Sequence, residues 1–70
     1  MNLIVNGESK NFSHLSSAPS LLEIIQELKH HPKTIVVELN GLILSPGLWN
    51  EKVVKHGDRI EIVTIVGGGS

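Results

Sequence analysis

A single helical segment, in a chain whose other patterns are those of strands, constrains the fold most. Ser20 begins it with a capping box, in which the Ser20 hydroxyl accepts a hydrogen bond from a free backbone amide and Glu23 reaches back. An apolar stripe follows at helical spacing, formed by Leu21, Ile24, Ile25 and Leu28. We expect residues 29–31 to form the last turn and Pro32 to end the helix. Only a sheet built by the remaining residues can bury this stripe, so the chain is predicted to have an α+β fold.

The remaining residues predict that sheet. Strand patterns occur over residues 2–6, 9–14, 34–40, 42–44 and 59–66, with a short strand or bridge at 53–54. Two Asn-Gly pairs, at 6–7 and 40–41, are typical of tight hairpins, because both positions of such a turn need positive φ. Leu48 and Trp49 are expected to point into the core.

The order of these elements, β-β-α-β-β-β, predicts a β-grasp, the ubiquitin-like architecture. The first and last strands are the most regular, and we expect them to pair in parallel within a mixed sheet of four to five strands. The helix would cover one face of that sheet. Residues 1–66 are predicted to form the domain, and residues 67–70 a flexible, glycine-rich tail.

Composition excludes several classes of function. The 70 residues include no cysteine, which rules out thiolate catalysis and cysteine-ligated metals, and a net charge of −1 argues against a nucleic-acid partner. The four histidines have no metal-ligand spacing, and no motif pairs a nucleophile with a base, so we expect no metal site and no enzyme activity. No apolar run approaches membrane-spanning length and the start does not read as a signal peptide, so we expect no membrane partner and a cytoplasmic location.

Four segments together carry a resemblance to a known family. Three of them are the opening Leu3-Ile4-Val5-Asn6-Gly7, the helix at 21–28, and residues 37–41 followed by Leu48-Trp49. The most specific is the C-terminal segment, where a Gly57-Asp58 turn, an apolar strand and Val66-Gly67-Gly68-Gly69 follow one another. Over essentially its whole length, the chain resembles the ThiS family of sulfur carrier proteins in thiamine biosynthesis.

The resemblance implies a carrier that is a co-substrate of partner enzymes and binds no cofactor itself. An E1-like, ThiF-type adenylyltransferase would use ATP and magnesium to adenylate the C-terminal glycine. A sulfur donor linked to a cysteine desulfurase would convert the adenylate to a thiocarboxylate, and a ThiG-type thiazole synthase would take the sulfur into the thiazole moiety of thiamine. The modified residue would be Gly69, with Gly67 and Gly68 as its tail. Glycine lacks a Cβ, which lets such a tail enter a narrow site.

Several alternatives stay open at this point. By composition alone, Gly67–Ser70 also fits a frayed terminus or a cloned linker. Ser70 departs from the family pattern, in which the last residue is glycine. There are three alternatives: Ser70 is removed before use, it was added by cloning, or it blocks activation. The small subunit of molybdopterin synthase is a related carrier, although it tends to have prolines where this chain has Thr64-Ile65-Val66. A β-grasp interaction module without tail chemistry is the alternative from another class.

One face of the last strand is predicted to bind the partners. A single helix covers only one face of a sheet, so apolar residues on both faces of the last strand and of residues 35–39 indicate an exposed patch. The predicted docking residues are Val63, Ile65, Val66, Glu61 and Val37, with Glu38 and Glu61 at the rim. The alternative is that these residues are fully buried or face loops.

Overall fold

The computed structural model describes residues 1–13, 15–16 and 18–65, which form a five-stranded sheet with one α-helix. The strands are β1 (Asn2–Val5), β2 (Glu8–Asn11), β3 (Ile35–Leu39), β4 (Leu42–Leu44) and β5 (Arg59–Thr64). The helix, α1, is Leu21–Glu27, and two 3₁₀ turns lie at Pro32–Thr34 and Pro46–Leu48.

β5 lies at the centre of the sheet, whose strand order is β2-β1-β5-β3-β4. β1 and β5 are parallel, with Ile4 beside Arg59 and Val5 beside Ile60, and the other neighbouring strands are antiparallel. Parallel neighbours need a long crossover connection, and α1 lies within it. The predicted α+β, β-grasp architecture with parallel first and last strands is confirmed.

Both predicted hairpins are present, and each has a two-residue turn. Asn6 and Gly7 join β1 to β2 with φ angles of 50° and 83°, and Asn40 and Gly41 join β3 to β4 with 51° and 86°. These angles lie in the left-handed region, which asparagine tolerates and glycine favours. Local sequence therefore determines the register of both hairpins.

The core lies between α1 and the inner face of the sheet. Its buried apolar residues are Leu3, Val5, Phe12, Leu21, Ile24, Ile25, Ile35, Val37, Leu39, Leu44, Trp49, Val54, Ile60 and Ile62. Trp49 is 1% exposed, and its Nε1–H donates to the Leu44 carbonyl at 3.0 Å, so the polar atom of the ring is paired. The prediction for Leu48 is wrong: successive residues around a 3₁₀ turn point in different directions, and Leu48 is 48% exposed.

The start of α1 is stabilised by its cap and by a distant segment. The Ser20 hydroxyl accepts a hydrogen bond from the Glu23 amide at 3.2 Å, as predicted. The Leu21 amide donates to the Lys52 carbonyl at 2.7 Å. Ser20 and Val53 form an isolated antiparallel bridge, which confirms the bridge predicted at 53–54. Two amides that a helix start leaves without intrahelical partners are thereby paired.

α1 ends at Glu27, before the turn that was predicted to be its last. Lys29 has a φ of 62°, and the amides of Lys29 and His30 donate to the carbonyls of Gln26 and Ile25. These bonds form a Schellman motif, in which the left-handed position is usually a glycine. The prediction of a further turn is wrong because a lysine at that position gives no signal in the sequence that the helix ends there.

Replacing Ile60 with alanine should destabilise the fold strongly. Ile60 is fully buried, and an Ile→Ala change in a core costs about 2–5 kcal/mol of unfolding free energy, comparable with the whole stability of so small a domain. Urea unfolding followed by Trp49 fluorescence measures the cost. The control is Ile43→Ala in β4, where the side chain is 66% exposed and the cost should stay below about 1 kcal/mol. Equal effects of the two changes would contradict the core described above.

Candidate functional site

The predicted tail lies outside the described residues. Residues 66–70 include the predicted docking residue Val66 and the predicted modified residue Gly69, so both stay predictions. The structure describes the strand that precedes them, β5, and the following residue, Ile65. The candidate site that can be examined is therefore the end of β5 and the sheet face around it.

The end of β5 is held more extensively on one edge than on the other. On the β3 side it pairs at five positions, and beyond them the Ile65 amide donates to the Thr34 carbonyl at 2.6 Å. On the β1 side, strand pairing covers Arg59 and Ile60. Contacts on that edge beyond Ile60 must come from something other than the β1 ladder.

The side chain of Asn6 supplies such contacts after β1 turns away. Its Oδ1 accepts a hydrogen bond from the Ile62 amide at 2.7 Å, and its Nδ2 donates to the Ile62 carbonyl at 3.3 Å. Both bonds are partly buried, and they join residues 56 positions apart in the chain. A carboxamide presents one acceptor and donors, as a peptide group does. Asn6 therefore pairs with Ile62 much as a strand residue would.

A second asparagine holds the start of β5. Asn40 Oδ1 accepts a hydrogen bond from the Arg59 amide at 2.9 Å, and Asn40 Nδ2 donates to Asp58 Oδ1 at 3.1 Å. The other oxygen of Asp58 accepts from the Lys55 amide at 2.8 Å, and Gly57 has a φ of 88°. The Gly57-Asp58 pair is therefore a turn that begins β5, with the Asp58 carboxylate bonded to the chain on both sides.

The sheet face opposite α1 carries exposed apolar side chains. We call it the open face, and define it by Glu38, Ile43, Glu61, Val63 and Ile65. Ile43, Val63 and Ile65 are 66%, 59% and 49% exposed, whereas Ile60 and Ile62 of β5 are buried in the core. The exposed patch expected on the last strand is present at Val63 and Ile65. That it binds a partner stays a prediction.

Val37 does not belong to the open face. β3 alternates strictly, with Ile35, Val37 and Leu39 buried and the residues between them partly exposed. Val37 has no exposed surface at all, so its side chain packs in the core and cannot contact a partner. The prediction of Val37 as a docking residue is therefore corrected. Val36 is as apolar as Val37, which hid the alternation in the sequence.

Two carboxylates lie opposite one another on the open face. The register of β3 and β5 places Glu38 beside Glu61, and Ile43 is the next residue in the same row. Both glutamates are partly buried and, with Arg59 and Asn40, they line a shallow depression. Like charges at directly opposite positions destabilise a sheet. We therefore expect this row to lower the stability of the isolated domain.

Two of the histidines have structural roles. His56 Nδ1 accepts a hydrogen bond from the Asn2 amide at 3.0 Å, and His31 Nδ1 accepts one from the Lys33 amide at 3.3 Å. Across residues 1–13, 15–16 and 18–65, no three His, Asp or Glu side chains are placed to hold a metal ion; His14 lies outside that part. In the same described part, no helix has the length and hydropathy needed to span a membrane.

Comparison with known proteins shows what the chain is similar to. Residues 3–69 match a family model described as the ThiS family, a range that includes Gly69. The crystal structure of a thiamine biosynthesis protein, ThiS from Geobacter metallireducens, matches with a TM-score of 0.84 and 33% identity, covering 99% of this chain and 100% of that one.

Two further relatives differ in length. A thiazole synthase of Paramagnetospirillum magneticum is 37% identical over 70 residues, which are 100% of this chain and 21% of that protein. The ycf40 protein of Porphyra purpurea is 33% identical over 69 residues, which are 99% of this chain and 93% of that protein. The chain is thus similar to nearly all of one small protein and to a fifth of a larger one.

Replacing Glu38 with glutamine should stabilise the isolated domain. The change removes the repulsion between Glu38 and Glu61 and keeps the side-chain shape, so the unfolding free energy should rise by about 0.2–1 kcal/mol at low ionic strength. The gain should shrink in about 1 M salt, which screens the repulsion. Urea unfolding at two salt concentrations measures it, with Glu51→Gln, at an exposed site outside the strands, as control. A gain that salt leaves unchanged would contradict the electrostatic explanation.

Proposed function

The chain belongs to the ThiS family, and from that premise we propose that it carries the sulfur used to form the thiazole moiety of thiamine. It acts as a co-substrate of partner enzymes and not as a catalyst. The observation that carries the proposal is the extent of the family match, which takes in the helix and every strand except the first residue of β1 and continues to Gly69. The thiamine role of the related ThiS structure and the thiazole synthases among the relatives favour the thiamine branch over the molybdopterin branch.

The proposed chemistry takes place at the carboxylate that Gly69 has once the Gly69–Ser70 peptide bond has been hydrolysed. A carboxylate oxygen attacks the α-phosphorus of ATP in the site of a ThiF-type adenylyltransferase, and pyrophosphate leaves. The acyl adenylate then has a good leaving group, AMP, which the free carboxylate lacks. The persulfide of a donor charged by a cysteine desulfurase attacks the carbonyl carbon, and AMP leaves as an acyl disulfide forms. A thiol of the donor then attacks the S–S bond, which releases the thiocarboxylate and leaves a disulfide on the donor. ATP and magnesium belong to the partner's site, where the metal stabilises charge on the phosphates.

In this proposal, the tail and the domain have different roles. Gly67, Gly68 and Gly69 have no side chains to obstruct entry into a narrow site on each successive enzyme. The domain supplies the surface that those enzymes recognise and the strand from which the tail leaves. β5 suits the second task because it is the central strand and is bonded on both edges.

The open face is proposed as the docking surface. Val63, Ile65 and Glu61 lie on it with Ile43, and Val66, which lies outside the described residues, stays a proposed docking residue. Burying exposed apolar side chains against a partner is favourable, and so many on one face of a small domain are typical of an interaction site. A basic side chain of the partner would pair with the opposed carboxylates of Glu38 and Glu61, whose repulsion is unfavourable in the free domain.

A thiazole synthase is the proposed acceptor of the sulfur. Two proteins with that name, from Paramagnetospirillum magneticum and Magnetococcus marinus, each contain a region similar to essentially this whole chain. A carrier joined to the enzyme that it supplies has a high effective concentration at that enzyme's site. The likeness therefore supports delivery of sulfur from this chain to a ThiG-type synthase.

Activation of the tail can be observed by intact mass spectrometry. We expect the chain ending at Gly69, incubated with ATP, magnesium and a ThiF-type adenylyltransferase, to gain the mass of an adenylate. With sulfide added, one carboxylate oxygen should be exchanged for sulfur. The chain ending at Ser70 should show neither change, because the activated carboxylate must belong to the glycine. If an adenylyltransferase that is active on another carrier leaves the Gly69 form unmodified, the proposal is wrong.

A lysine in place of Val63 should weaken binding to the adenylyltransferase. The change puts a strongly hydrated charge in the middle of the open face, so we expect the dissociation constant to rise by about tenfold or more. Val53→Lys is a matched control, because Val53 is 50% exposed, against 59% for Val63, and pairs with Ser20 at the start of α1. Isothermal titration calorimetry measures both variants. Equal affinities for the two would contradict docking through the open face.

A further inference from the structure

β5 continues beyond the last residue of β1, so the last residues of β5 have no partner in β1. The even-numbered residues of β5 direct their backbone groups towards β1: the Ile60 carbonyl accepts from the Asn6 amide at 2.9 Å, and Ile62 bonds the Asn6 side chain. The next residue on this edge is Thr64, which has no partner on the β1 side within the described part of the chain. Among those residues, Asn6 therefore makes the last contact on this edge of β5.

The opposite edge of β5 ends in a single bond of its own. Past the last β3 pair, the Ile65 amide donates to the Thr34 carbonyl at 2.6 Å. Contacts on both edges restrain the position and the direction of a strand end, whereas a strand end held on one edge opens more readily. The contacts at Ile62 and Ile65 thus add to the pairing with β3 in holding the last residues of β5.

The turn prepares the Asn6 side chain for this contact. Asn6 has a φ of 50° in a tight hairpin. The backbone therefore fixes the direction of its Cα–Cβ bond, and only the few rotatable bonds of the side chain remain to be ordered. The turn itself requires only a residue that tolerates positive φ, and glycine also does. The two hydrogen bonds to Ile62 are therefore an additional role of the carboxamide, beyond its preference for the turn.

We propose that Asn6 is a positioning residue, which fixes the end of β5 and hence the direction in which the chain leaves the sheet towards Gly69. The inference rests on the proposed function, because it is the reactive tail that needs a defined exit. Asn6 touches no substrate and acts through Ile62. In a reaction between a carboxylate and a bound nucleotide, a misplacement of about 1 Å can cost about 10²-fold in rate.

Asn40 offers a matched control in the same molecule. It has a φ of 51° in an equivalent Asn-Gly turn, and its side chain also makes two hydrogen bonds, to Asp58 and Arg59 at the start of β5. Asn6→Gly and Asn40→Gly each keep the positive φ and each remove two bonds. A general stabilising role predicts similar effects of the two changes, whereas positioning predicts that Asn6→Gly alone loosens the end of the strand.

Amide hydrogen exchange, measured by NMR on the full chain, tests the inference without any partner. The decisive reporter is the Ile65 amide, which bonds Thr34 and not Asn6. In Asn6→Gly it should exchange about tenfold faster, relative to the core amides, and in Asn40→Gly it should be unchanged. Faster exchange at Ile62 alone, or equal acceleration at Ile65 in both variants, would overturn the proposal.

A second variant at the same position tests the proposal even if Asn6→Gly does not fold. Asn6→Asp keeps an oxygen that accepts from the Ile62 amide but has no N–H to donate to the Ile62 carbonyl. It should accelerate exchange at Ile65 as well, by less than the loss of both bonds. Exchange at Ile65 equal to that of the wild type would count against the proposal.

Activation kinetics of the chain ending at Gly69 give the second readout. Asn6→Gly should lower kcat by about tenfold and leave KM for the carrier within about twofold, because the open face stays intact while the tail is misplaced. Asn40→Gly should leave kcat near that of the wild type, because it keeps the bonds at the end of β5. If both variants match the wild type, the inference is wrong and the proposed function stands. If the wild type is not activated, the proposed function is wrong, and the exchange at Ile65 alone decides the role of Asn6.

Discussion

The parallel pairing of β1 with β5 is the contact on which the rest of the structure depends. Ile4 beside Arg59 and Val5 beside Ile60 bring the first and last strands into one sheet. Since parallel neighbours cannot be joined by a tight turn, the chain between them has to cross over, and α1 in that crossover covers the inner face. Within residues 1–13, 15–16 and 18–65, no helix or strand covers the open face. The core, the open face and the place where β5 ends are thus consequences of one pairing.

The open face is where the structure departs from what stability alone would favour. Ile43 and Val63 are left exposed, and Glu38 of β3 lies directly opposite Glu61 of the neighbouring strand β5. Such departures from local rules are expected at functional sites, since the unfavourable groups are relieved when a partner binds. The face proposed to bind the partner enzymes includes β5, the strand that precedes the proposed reactive tail. In that proposal, recognition and delivery depend on the same sheet.

The sequence predicted those features whose signals are local. The two Asn-Gly turns and the Ser20 cap were confirmed, because each depends on the conformational preferences of a few adjacent residues. The predictions failed where the signal was ambiguous or absent. Lys29 ends the helix in a conformation that usually indicates glycine, and Val37 could not be told from Val36 in a run of β-branched residues. Burial of one and not the other depends on which face α1 covers.

By itself, the sequence determined the elements, their order and the family, because periodicity, turn residues and the C-terminal pattern each depend on residues that are near one another in the chain. The tertiary structure decided which residues from distant parts of the chain come into contact. Asn6 was predictable as a turn residue, but its bonds to Ile62 join positions 56 residues apart. The opposition of Glu38 and Glu61 likewise required the register of β3 against β5. Contacts of this kind arise from packing and strand register, which no local preference specifies.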